Sequence, residues 1–290
     1  MQRFQILHRT YYNYTGEVVL GTHRLLLRPR EDHELRIESF SLTVSPDANV
    51  YWHRDVEDNS VAIASFSAPA TQLAIEVDMV IQQFNSDPLD FVVSEYAVHY
   101  PFDYEPYDEL ILESYRLPAS PQELARVRGW LATIWQPGQS IQTYSLLQCI
   151  AETIFSEMTY CVRNEPGVQS ASETLDKQSG SCRDFASLFM EAARSLGLAA
   201  RFVSGYLHAP LMSQEIGTTH AWAEVYLPGA GWKGWDPTTG KVAGQDHVAV
   251  AVARLPESVP PIGGSYKGAQ QSTLDVGVWA VSYTHLRAHE

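Results

Sequence analysis

The chain has 290 residues, 45% hydrophobic and 19% charged, with 34 acidic against 20 basic side chains and a formal net charge of −14. That length points to two domains, and the composition is that of a globular protein able to bury real cores. The acidic balance excludes nucleic acid and anionic membrane as main partners, because phosphate binding needs clustered Lys and Arg.

The N-terminal stretch MQRFQILHRTYYNYTG is polar and aromatic and lacks the apolar core of a signal peptide, so a cytoplasmic location is the default expectation. No run of ~18 apolar residues marks a membrane-spanning helix. Residues 1–110 read as a β-rich domain. HRLLLRPR, from His23 to Arg30, reads as a strand with alternating exposed arginines. LRIESFSLTV alternates through Leu35, Ile37, Leu42 and Val44, and its phase slips near Phe40 as a β-bulge would make it. LAIEVDMVI alternates without a break through Leu73, Ile75, Val77, Met79 and Ile81. Turn clusters Ser45-Pro46-Asp47 and Glu57-Asp58-Asn59 fall at the spacing of a β-sandwich.

Composition then shifts. Tyr100 to Pro121 is rich in Pro, Tyr and acids, and residues 111–120 are read as the linker. Residues 121–280 form the second domain, opening with a helix from Pro121 to Trp135 capped by Ser120, and a second from Thr143 to Met158. A third helix begins at Cys182, and strands follow in AARFVSGYL, THAWAEVYL, GWKGWDP, HVAVAVARL and STLDVGVWAV. Helices first and antiparallel strands second give an α+β domain. Residues 281–290, VSYTHLRAHE, break the pattern and are set aside as a non-native tail.

Three cysteines, Cys149, Cys161 and Cys182, are too few and too irregularly spaced for a disulfide framework or a zinc site. Cys149 sits in the helical run YSLLQCIAETIFSEM and reads as packing; Cys161 has no helix start after it. Cys182 differs. In SGSCRDFASLFMEAARSLG, Phe185, Leu188, Phe189, Ala192 and Leu196 make one helical stripe, Gly197 closes the helix, and Ser181 with Asp184 fits a capping box. Cys182 is then the first helical residue and lies off the stripe, where free N–H groups and the helix dipole favour a thiolate.

A thiolate nucleophile needs a base, and the base needs an orienter. The strand THAWAEVYL puts His220, Trp222, Glu224 and Tyr226 on one face and small apolar residues on the other. His220 and Asp236 each lie eight residues from Pro228 in the turn PGAG, so a hairpin folded there brings them together across the ladder, give or take a bulge. Pro237 ends the strand after the carboxylate. Taken singly, each residue has an ordinary explanation in packing or a turn; their order and supports together point to a triad. Ser181 is better explained as the cap, His53 and Asp55 by a strand and turn, and His208 and His247 as incidental. Trp222 is the candidate substrate-side cover that keeps water from the site.

GSCRDFASLFMEAARSLGLAARFVSGYL, THAWAEVYLPGAGWKGWDPTTG and the connecting NEPGVQSASETL resemble the transglutaminase-like superfamily of papain-like enzymes. GTHRLLLRPR and VYWHRDVEDNSVAIASF look like the β domain that precedes this core in many bacterial members. The resemblance implies a papain/transglutaminase-like core of helices packed on an antiparallel sheet, preceded by a β-sandwich-like domain. It also implies Cys182 as nucleophile, His220 as general base and acid, and Asp236 as orienter of the imidazole. Thiol-dependent acyl transfer through a thioester follows, with hydrolysis of peptide or glutamine-type amides expected first. A transglutaminase and a non-catalytic peptide-binding module are the alternatives. The expected partner is a protein or peptide substrate; no cofactor or metal is expected, since no compact calcium loop is present.

Overall fold

The first strand, β1 (Gln2–Leu20), is long enough to serve two partners along its length. Phe4, Ile6, His8 and Thr10 point inward while Arg3, Gln5 and Arg9 remain partly or fully exposed, the period of two expected of a half-buried strand. A computed structural model describes residues 1–84, 87–121, 123–163, 165–208 and 219–282. On one edge β1 pairs antiparallel with β6 (Ala70–Gln83), which in turn pairs with β3 (Leu35–Ser45). The register of β3 slips between Ile37 and Ser39, the bulge read from the loss of alternation. A second sheet sets β2 (His23–Leu25), β5 (Ser60–Phe66) and β4 (Ala48–Arg54) side by side. HRLLLRPR contributes only three residues to a strand, and Leu25, Leu26 and Leu27 are all buried.

The domain boundaries differ from the sequence reading. Ser272–Ser282 pairs with β1 from Phe4 to Tyr14, Tyr266–Lys267 pairs with its far end, and Ile262–Gly263 pairs with β2. The last strands therefore belong to the N-terminal sandwich, where they cover an edge of β1 that would otherwise present unpaired N–H and C=O groups. Of the suspected tail, residues 283–290 lie outside the described residues. Much of the predicted linker is also structured: α1 (Pro106–Arg116), with Pro106 in its first turn and Leu112 buried, runs through residues 111–116 of it. The next helix, α2 (Leu124–Leu131), is shorter than predicted and is preceded by Glu123 rather than Ser120 as its cap residue.

The second domain packs α3 (Thr143–Glu157), α4 (Ala171–Lys177) and α5 (Cys182–Ser195) with α2 on a five-stranded antiparallel sheet. The sheet runs Lys241–Val242, Gly231–Asp236, Thr219–Leu227, Ala200–Leu207, His247–Ala253. Phe185, Leu188, Phe189 and Ala192 of α5 are almost wholly buried, each large side chain contributing about 1.5–3 kcal/mol by leaving water. Gly197 has φ +81°, and Gly197 N–H to Arg194 O and Leu198 N–H to Ala193 O complete a Schellman motif. Asn59 of the sandwich grips the outer edge of the sheet: its side chain donates to Val252 O at 2.8 Å and accepts from Val252 N–H at 2.9 Å.

Candidate active site

Cys182 opens α5, and Asp184 fixes that start. Ser181 donates to Asp184 Oδ2 through its N–H at 2.8 Å and its hydroxyl at 2.7 Å. Gln169 N–H and Arg163 Nη1 donate to Oδ1 at 2.8 and 2.6 Å. Burial alone would push the Asp184 carboxyl up, but these donors hold it below the usual carboxylate range. Cys182 is partly exposed and lines a cleft of about 480 Å3. Tyr160, Val162, Val168, Pro256, Val259 and Pro260 give that cleft apolar walls. Cys161 is partly buried, and Cys149, read as packing, is exposed.

His220 lines the same cleft from the start of the Thr219–Leu227 strand. Its Nε2 lies 2.9 Å from Asp236 Oδ2, and its ring also hydrogen-bonds the Cys182 side chain. With Nε2 committed to Asp236, the nitrogen left for sulfur is Nδ1. Burial would push this imidazole down; the hydrogen bonds and charges of Asp236 and Cys182 outweigh it and hold it up to about 10. Asp236 is fully buried, and burial would raise it, yet the hydrogen bonds from its histidine partners keep it well below the carboxylate range. The hairpin register is two residues from the one read off Pro228. Ala223 faces Trp235 and Leu227 faces Gly231, so Pro228-Gly229-Ala230 is the turn, and His220 reaches Asp236 diagonally on a shared face.

The structure thus brings Cys182, His220 and Asp236 together. It does not put Trp222 in the cleft: Trp222 is 2% exposed, packs on Val203 and Val252, and lies behind His220 with its ring 6.2 Å away. His208 packs on Phe4 and meets Asp246. The residue that sequence reasoning passed over is His247. Its Nε2 is 3.1 Å from the same Asp236 Oδ2, and Thr239 Oγ1 donates there too at 3.0 Å. Its signal was slight: one polar residue at the head of the apolar run HVAVAVA. His220, Asp236 and His247 offer ligand-type atoms within 4.8 Å of one another. Three donors converging on one carboxylate oxygen describe a hydrogen-bond network, however, and account for all three side chains without an ion.

A cysteine at a helix N-terminus, with a histidine and a buried aspartate on adjacent strands of an α+β core, defines the papain-like class of thiol-enzyme folds. The sequence matches the family description "Bacterial transglutaminase-like N-terminal region" over residues 4–82 and "Transglutaminase-like superfamily" over residues 137–237. The core of the chain, residues 137–237, belongs to the transglutaminase-like superfamily. An uncharacterized protein of Mycobacterium tuberculosis is 29% identical over 296 residues, covering 97% of this chain and 93% of its own. One from Mycobacterium leprae is 25% identical over 284 residues, covering 96% of this chain and 98% of its own. The crystal structure of a "putative cysteine protease" from Cytophaga hutchinsonii shares the fold, with TM-score 0.74 and 18% identity over 98% of this chain and 91% of that one. No helix among the described residues is long and apolar enough to cross a membrane.

Proposed function

We propose that the protein is a thiol-dependent acyl-transfer enzyme that hydrolyses peptide or glutamine-type amides. The observation that carries this is the His220 ring, which bridges buried Asp236 and Cys182 at the edge of an open cleft. His220 as imidazolium and Cys182 as thiolate make the resting pair. The sulfur attacks the amide carbonyl, and the Cys182 N–H, free at the helix start, donates to the oxyanion. His220 gives its proton to the leaving amine or ammonia, leaving a thioester. It then takes a proton from water as that water attacks the thioester, and collapse of the tetrahedral intermediate expels the thiolate and the acid, restoring the imidazolium–thiolate pair. Asp236 keeps Nε2 occupied throughout, so the working nitrogen faces sulfur. The apolar walls support a substrate with an apolar residue beside the reacting amide.

A panel of glutamine-containing peptides, with and without a primary amine, tests this. Ammonia release or a shortened peptide, abolished in Cys182→Ala, is the expected result. Amine incorporation in place of hydrolysis would reassign the protein as a transglutaminase. Iodoacetamide labelling at pH 6, read peptide by peptide, separates enzyme from binding module. Cys182 should outpace Cys149 and slow in His220→Ala; equal slow labelling of both cysteines would refute the reading.

A further inference from the structure

Asp236 Oδ2 accepts from His220 Nε2 at 2.9 Å, His247 Nε2 at 3.1 Å and Thr239 Oγ1 at 3.0 Å. His247 is itself fixed from the other side, because its Nδ1 accepts the Gly244 N–H at 3.2 Å. An imidazole nitrogen that accepts has no proton, so the proton of His247 is on Nε2 and points at the carboxylate. The ring is further held by Trp222, edge-on at 5.1 Å between centroids. His247 opens the strand His247–Ala253, on the far side of Ala200–Leu207 from the His220 strand, and lies beyond residues 137–237 that match the superfamily. Neither family match assigns it a role.

We propose that His247 is a positioning residue of this site: it donates to Asp236, sets the plane of that carboxylate, and so keeps the His220 ring turned with Nδ1 toward Cys182. A carboxylate held only by His220 and the Thr238–Thr239 turn could rotate about its terminal torsion, which is broad and soft. The second imidazole removes that freedom from the side opposite the cleft. This inference rests on the reading of Cys182 and His220 as a working pair, although its tests require no substrate. The charged groups around that pair are Asp236, with Arg163, Arg183 and Glu257 in the cleft walls. Across the adjoining cavity, His247 faces Arg30, Arg201, Glu224 and Lys233 as well as Asp32 and Glu34.

The first test is the pH profile of iodoacetamide labelling at Cys182 in the full chain, resolved by mass spectrometry, for wild type, His247→Phe and His247→Gln. Glutamine places an N–H close to where Nε2 lies; phenylalanine keeps a ring and removes the donor. Losing one hydrogen bond to a charged group slows labelling at pH 6 by about tenfold in the phenylalanine variant and moves the acid limb of its profile upward by about one pH unit. The glutamine variant recovers most of the wild-type rate and limb. Wild-type rates in the phenylalanine variant, or equal losses in both variants, would overturn the proposal. Slow labelling of Cys182 in the wild type would instead refute the proposed function.

A second test needs no variant. Nitrogen-15 NMR of histidine-labelled wild-type protein at pH 7 should show His247 protonated on Nε2 and not on Nδ1. The opposite tautomer would overturn the proposal even if the phenylalanine variant failed to fold.

Discussion

Replacing Asp236 with asparagine removes one negative charge while keeping the side chain's volume. Asp236 takes three donors on Oδ2 and the Thr238 N–H, at 2.9 Å, on Oδ1. Asparagine has one oxygen to offer, so its amide N–H2 must face a donor on one side or the other. With the oxygen turned to the two imidazoles, His220 keeps a weakened hydrogen bond and loses the charge. At about 1.4 kcal/mol per pH unit, holding this imidazolium up to about 10 instead of 6.5 is worth about 5 kcal/mol. Asp236 and Cys182 share that effect. Assigning Asp236 about half, roughly 2 kcal/mol, makes the imidazolium about 30-fold easier to deprotonate but leaves most of it charged at pH 7, so the larger effect there is on ring orientation and tautomer. The same change in Ser–His–Asp enzymes costs about 10⁴ in kcat through the wrong tautomer. Asp236→Asn should therefore lose about 10² to 10⁴ in kcat/KM at pH 7, with hydrolysis of the best peptide from the panel as the assay and circular dichroism confirming the fold. An asparagine variant within about fivefold of wild type would refute the assignment of Asp236 as orienter.

The same pair makes stability depend on pH. His220 is raised in the folded state, so its contribution is fully present below its unfolded value near 6.5 and is lost as pH rises toward about 10. Asp236 and Asp184 are lowered, so theirs are present above about 4 and fade as pH falls through the carboxylate range. The melting temperature should therefore decline from pH 7 to 10, and decline less in Asp236→Asn; parallel curves would contradict the linkage. Asp184→Ala strands four donors at the start of α5 and should cost about 3–5 kcal/mol in urea unfolding. Gly205→Ala should be worse tolerated than any exposed Gly→Ala change. A Cβ there would meet the Val248 carbonyl and stand 2.7 Å from the Trp222 ring, so a soluble, fully active variant would count against the packing behind His220.

Local signals carried far in this chain. Ser181, Asp184 and Gly197 bound α5 within a residue or two because caps are written in neighbouring side chains. The β3 bulge showed as a lost alternation, and Cys182, His220 and Asp236 were legible from three short segments. What escaped was anything set by sheet order. Nothing near His247 says that its strand joins the sheet beside Ala200–Leu207, where its ring can reach Asp236. Nothing in STLDVGVWAV says that it returns to β1 rather than extending the second sheet, since an alternating strand fits any free edge of matching polarity. Trp222 was placed on the His220 face correctly, but its ring packs behind His220 on Val203 and Val252 and does not line the cleft. The helix that runs into the predicted linker was masked by the Pro, Tyr and acidic content of Tyr100 to Pro121, although Pro106 is a favoured first-turn residue.

The route by which the chain leaves the sheet has a further consequence. After Ala253 it passes through Pro256, Val259 and Pro260, one bank of the cleft, before Ile262–Gly263 docks on β2. Arg24 of β2 clasps that bank by donating to the Ser258 carbonyl at 2.8 Å. The sandwich is thus the far abutment of a short bridge that lines the same cleft as Cys182. A fragment cut down to the second domain would keep Cys182 while releasing the anchorage of the segment that lines one part of its cleft.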